Sequence, residues 1–156
     1  MIQRILPPVI DNRFDGHRAA IWLFALFVLL RLIMSLNTIV NTHAVATGAD
    51  GVPLDSFGEP AAARFLTLFA VLGIAQLSLG LLGVLALVRY RAMIPLLYIL
   101  FLAEMLARRL MILAQPLARD GPPPIGFYIN LGLLAALGLG LLLSLRRSDG
   151  RRGLEA

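Results

Sequence analysis

The chain has 156 residues, of which 59% are hydrophobic, with a formal net charge of +5 and no cysteine. A mean hydropathy of +0.84 lies far outside the balance of a soluble domain, and the missing thiols exclude disulfides, thiolate metal sites and thiol redox chemistry. The positive charge is not read as a nucleic-acid signal, because the basic residues, all arginine, flank apolar runs and do not gather on one polar face.

Residues 1–18 predict a short cytoplasmic lead-in, broken at Pro7 and Pro8 and continuing through Arg13, Asp15, His17 and Arg18. The first span is predicted over 19–40, with Trp22 near the interface that indole rings favour. Ala44 and Ala46 form an A-x-A pattern just beyond it. The apolar run exceeds the ~7–15 residues of a signal-peptide core and contains Arg31, so an uncleaved span is expected. Residues 41–62 hold Gly48, Gly51, Pro53, Gly58 and Pro60 among Asp50, Asp55 and Glu59, the composition of a long irregular outer loop. Glu59 and Pro60 mark a helix start, and the second span is predicted over 63–88. After the basic turn Arg89-Tyr90-Arg91 the third span covers 92–115, with Pro95 tolerable in its first turn and Pro116 ending it. Asp120 to Pro124 is a stiff connection, the fourth span covers 125–145, and residues 146–156 form a basic tail.

Each span has the ~20 residues needed to cross a bilayer. The predicted fold class is therefore an all-α membrane protein, a four-transmembrane-helix bundle with no soluble domain. Arginines near span ends mark the cytoplasmic side. Arg4, Arg13, Arg18, Arg89, Arg91, Arg146, Arg147, Arg151 and Arg152 fall on one side, against Arg64 and Arg119, which places both termini inside. Arginine without lysine, beside abundant Ala, Gly and Leu, fits a GC-rich bacterial genome, so a multi-pass protein of the bacterial cytoplasmic membrane is expected. The two halves show no repeat that would support an inverted-repeat transporter.

Ionisable residues at mid-membrane depth are costly and are normally paired and turned inward. Residues three and four apart share a helix face, so Arg31, Ser35, Thr38 and Thr42 form one stripe, with Asn41 beside it, and Glu104, Arg108, Met111 and Gln115 form another. At ~1.5 Å per residue, Arg31 and Glu104 both lie about 18 Å from the cytoplasmic end and are expected to meet. Arg108 sits one turn higher, near the height of Tyr128 and Asn130, with Asn37, Asn41 and Gln115 above it. Arg109 points away from the Glu104 stripe and is close enough to the outer interface to reach it. The predicted polar cluster is Arg31, Glu104, Arg108, Asn130, Tyr128, Gln115 and Asn41. One reading is a pocket for an anionic or carbonyl-bearing ligand, such as a phospholipid headgroup, a quinone or a carboxylate. The other is a set of mutual bonds that fix helix register.

Gly73, Gln76, Gly80 and Gly83 predict a packing seam on the second span, with Gln76 below the cluster and able to bond across the contact; Gly132, Ala136 and Gly140 form a small-residue stripe on the fourth. His17 and His43 fall on opposite sides and cannot share a metal. The acids between Asp50 and Glu59 miss the calcium-loop spacing. No nucleotide-binding, hydrolase or metalloprotease motif is present, and no metal or cofactor is predicted.

In size and layout the chain resembles small four-helix bacterial inner-membrane proteins such as the DoxX-like group, with a polar residue in the first span and a long first outer loop. The likeness lies in the plan and implies no activity or site residue. The function expected is a non-enzymatic membrane protein binding a lipid-like or small anionic ligand, an anionic lipid or quinone among them, or an accessory subunit with a membrane-protein partner or a second copy of itself. The alternative is a small proton-coupled transporter or exporter component with Glu104 as its coupling carboxylate.

Overall fold

The computed structural model describes residues 5–114 and 122–146. These residues are overwhelmingly helical, with no strand among them. Four long helices pack on one another: α1 (Arg18–Val40), α2 (Glu59–Val88), α3 (Ile94–Ala114) and α4 (Ile125–Leu145). Three of them, α1, α2 and α4, are long and apolar enough to cross a membrane. α3 has the length but gathers Glu104, Arg108 and Arg109 within two turns, so the predicted count of four spans is met on composition by three.

Local chemistry sets the helix ends. His17 caps α1, its Nδ1 accepting from the Ala19 N–H at 3.2 Å. α2 opens four residues before the predicted span, at Glu59 with Pro60 in its first turn, and its 30 residues make it about 45 Å long. Pro95 sits buried in the first turn of α3, where its missing N–H has no intrahelical partner to lose. Pro124, in extended conformation, precedes α4.

α1 is the hub of the bundle. It packs along α2 on one side and α4 on the other, α3 packs on α4, and the backbone of α3 touches those of α1 and α2 little. Glycine explains the closest of these contacts. A Cβ added at Gly80 would lie 2.8 Å from Leu32 Cδ2, one at Gly83 2.6 Å from Val28 Cγ2, and one at Gly73 3.0 Å from Ile39 Cγ1. Bare backbone on α2 thus receives side chains of α1.

Where α1 faces α3 the backbones stand further apart, and aromatic rings fill the space. Phe24 meets Tyr98 edge to face with centroids 5.0 Å apart, and Phe27 meets Phe101 at 5.1 Å. Tyr98 is fully buried; its hydroxyl donates to the Ala20 carbonyl at 2.7 Å, and its ring lies against Gly140, where an added Cβ would collide with it. The Gly132/Ala136/Gly140 stripe therefore does not act as one seam. Gly140 is the seat of a tyrosine, whereas Gly132 is exposed with open space around its α-carbon.

The segment read as an irregular outer loop is largely ordered turns. The chain continues beyond α1 through Thr42–Ala44 and a wide turn at Val45–Ala49, then reverses at Gly51, whose φ of 64° is the left-handed conformation glycine adopts freely. A second small core explains this order: Ala46, Val52 and Leu54 bury themselves against Phe57, Phe65, Leu66 and Phe69. At the opposite end the lead-in is strapped to the bundle, His17 N–H donating to the Leu143 carbonyl at 3.1 Å and Ala92 N–H to that of Asp11 at 3.3 Å.

Candidate functional site

Glu104 on α3 stands between two arginines. Its Oε2 lies 3.0 Å from Arg31 Nη1 on α1, and its Oε1 accepts from Arg108 Nη2, one turn further along α3, at 2.7 Å. Arg31 is only 5% exposed. Side-chain exposures of 29% for Glu104 and 34% for Arg108 show that the cluster is not sealed on the α3 side.

Two further side chains complete the surroundings. The Arg31 guanidinium carbon lies 5.0 Å from the centroid of Phe101, close enough for the ring face to attract the cation. Gln76 reaches over from α2: with its amide turned so that oxygen faces the guanidinium, that oxygen lies 3.0 Å from Arg108 Nη1 and 3.3 Å from Nη2. Gln76 is therefore level with Arg108, not below the cluster as counted along the sequence. One polar network thus ties α1, α2 and α3 together at mid-height.

The network is under-supplied with acceptors. Nε and Nη2 of Arg31 are buried and donate to no acceptor among the described residues, and Glu104 Oε2 meets Arg31 as an ion pair without an aligned hydrogen bond. A guanidinium offers five N–H donors and no acceptor, so a buried one with idle nitrogens is costly. The charges do not balance either, since two guanidiniums share one carboxylate.

Other predicted members are placed elsewhere. Asn41 is exposed at the far end of α1, its Nδ2 donating to Asn37 Oδ1 at 2.7 Å. Tyr128 is exposed and packs edge to face on Phe127. Asn130, two residues on, turns inward to a cleft it shares with Arg108 and Arg109. Helical rotation separates them, because residues two apart do not share a face. Gln115 lies outside the described residues. The hydroxyls of the α1 stripe are used locally: Ser35 Oγ donates to the Arg31 carbonyl at 2.7 Å, Thr38 Oγ1 to that of Met34 at 2.9 Å and Thr42 Oγ1 to that of Ile39 at 3.0 Å. Met111 is exposed.

Arg109, expected to reach for the helix end, instead lies over Phe127 of α4, 3.9 Å from the ring centroid. Sequence reasoning missed Phe101, Phe127 and the height of Gln76. Phe101 carried a readable signal, standing three residues before Glu104 on the same face.

Another cavity lies apart from this chemistry. It measures about 410 Å³ beneath the lead-in, with Asp11, Arg13, Phe14, Pro95 and Ser144 in its walls. Arg13 Nε lies 3.6 Å from Asp11 Oδ2 there, and the charged side chains of its wall are exposed or part-exposed.

The fold and site define an all-helical protein with three membrane-length apolar helices and a buried charged cluster. No family model, curated protein or solved structure matches the chain.

Proposed function

We propose that this is a non-enzymatic protein of the cytoplasmic membrane that crosses the bilayer four times and uses the Arg31/Glu104/Arg108 cluster to hold an anionic or carbonyl-bearing group. That group belongs to a small ligand or to a partner subunit. The observation that carries this reading is Arg31: a charge 5% exposed, with Nε and Nη2 idle and half a carboxylate for company. An acceptor with negative charge would satisfy both the idle donors and the surplus charge.

The same cluster supports α3 as the fourth span. Three charged residues would be prohibitive on an isolated helix, but Glu104 and Arg108 are paired, and Arg109 covers an aromatic ring. The surfaces of α1, α2 and α4 turned away from the bundle are rich in exposed Leu, Ile and Val, as lipid contact requires.

The test is native mass spectrometry of the protein extracted gently from its own membrane, wild type beside Arg108→Ala. A bound small molecule present in wild type and lost in the variant is the expected result. A co-purifying protein lost in the same way identifies the accessory-subunit form of the reading. Identical spectra, with no adduct or partner in either, would overturn it.

A second reading has one observation in its favour: Glu104 alone joins arginines of two helices, so protonating it would release both. A proton-coupled transporter would lose transport on Glu104→Gln while remaining folded; unchanged transport by the reconstituted variant would exclude it.

A further inference from the structure

On the α4 side of α3, the bundle has a second polar opening. A cleft of about 60 Å³ lies between α3 and α4, with Arg108, Arg109 and Asn130 at its polar end and Met105, Ile112 and Leu134 along its walls. The Phe127 ring holds the Arg109 guanidinium beside this cleft, 3.9 Å from its centroid. Asn130 is fixed by its Nδ2 donating to the Gly126 carbonyl at 2.8 Å.

Charge decides what the cleft fits. Within the four helices the only carboxylates are Glu104 and, at the far start of α2, Glu59. Glu104 is already shared by Arg31 and Arg108, and no carboxylate reaches Arg109 among the described residues. Arg31, Arg108 and Arg109 therefore have one carboxylate among them, in surroundings where lone charge is costly. Size narrows the choice: the space admits a few water-sized groups, enough for a phosphate or carboxylate and too little for an entire amphiphile. The rest of such a molecule would lie along the apolar wall, which continues into the exposed Ile112 and Leu131.

We infer that this cleft seats the phosphate of an anionic membrane lipid between Arg108 and Arg109, with the acyl chains running over the apolar surface of α3 and α4. The inference rests on the membrane placement and surplus charge proposed above, and it puts the lipid at the Arg108 edge of the cluster, because Arg31 does not line the cleft. Free phosphate offers the same oxygens but would leave the apolar wall unused, so the test separates the two sources.

The full chain is exchanged into micelles doped with phosphatidylglycerol or with phosphatidylcholine, and lipid retained through activation is counted by native mass spectrometry. Wild type is expected to keep one phosphatidylglycerol and to keep phosphatidylcholine about tenfold less. Arg109→Gln is expected to lower phosphatidylglycerol retention about tenfold, with Arg109→Lys between the two. Arg109→Gln should unfold at the wild-type temperature in phosphatidylcholine micelles, which separates lost binding from lost folding. Equal retention by wild type and Arg109→Gln, or of the two lipids by wild type, would overturn the inference, as would complete displacement by added inorganic phosphate. If Arg109→Gln keeps its lipid while Arg108→Ala loses the native ligand, the cleft assignment falls and the cluster reading stands.

Discussion

Arg31 Nη1 and Glu104 Oε2 meet 3.0 Å apart across the bundle, joining α1 to α3 where the two backbones have little direct contact. Removing either partner leaves the other in a different predicament. Arg31→Ala leaves Glu104 with Arg108, at an expected cost near the low end of the ~3–5 kcal/mol typical of breaking a buried pair. Glu104→Ala strands a guanidinium that is 5% exposed and belongs at the upper end of that range, about 5 kcal/mol. The double variant should cost less than the sum by about 1–3 kcal/mol. Reversible unfolding of all four proteins in one detergent measures the coupling, and strict additivity would show that the pair contributes nothing.

Tyr98 and Gly140 make a second dependent pair. Gly140→Ala places a methyl group in the volume of the Tyr98 ring, so a loss of about 1–3 kcal/mol is expected from overpacking. Tyr98→Phe removes only the bond to the Ala20 carbonyl and should cost about 1 kcal/mol. In the Tyr98→Ala background the Gly140→Ala penalty should vanish; its persistence would mean that the ring is not what glycine accommodates.

Gly83 and Gly132 should respond differently. Gly83→Ala pushes a methyl group into Val28 and separates α1 from α2, with an expected cost of about 1–3 kcal/mol. Gly132→Ala meets nothing and should be neutral or stabilising by up to about 1 kcal/mol, the difference in helix propensity. Thermal unfolding of both variants checks this, and equal destabilisation would remove the distinction between the two positions.

A prediction about α3 concerns its crossing of the membrane. On this Cys-free chain, single cysteines at Gly58, Arg91 and Pro123 can be labelled with a membrane-impermeant maleimide in intact cells. Gly58→Cys and Pro123→Cys should react from outside, and Arg91→Cys only after permeabilisation. Labelling of Pro123→Cys only after permeabilisation would mean that α3 does not cross.

Much of this geometry was legible because it follows from helical periodicity. The meeting of Arg31 with Glu104 needs only a face, a rise per residue and a second helix running the same way, and the row Gly73, Gly80 and Gly83 needs only its spacing. What depends on tertiary placement was not legible. The turns beyond α1 owe their order to Ala46, Val52 and Leu54 packing on Phe65 and Phe69, a contact that a count of turn residues cannot reveal. The contact of Gln76 with Arg108 was not legible, because a count along α2 does not show how far two long side chains reach towards each other. The pairing of Tyr128 with Asn130 had a readable flaw, since residues two apart diverge around a helix, and only Asn130 reaches the cleft.

The claim at the centre is that the cluster lacks one negative charge, which a bound acceptor supplies. Gln76→Glu adds that charge in the same shape, from a side chain already 3.0 Å from Arg108 Nη1. The decisive measurement is native mass spectrometry of this variant beside wild type, with unfolding of both after complete removal of small molecules and lipid. The expected result is a variant more stable than the stripped wild type that no longer carries the wild-type ligand. A variant that keeps the ligand and gains no stability would contradict the account, because the cluster would then have had no charge to fill.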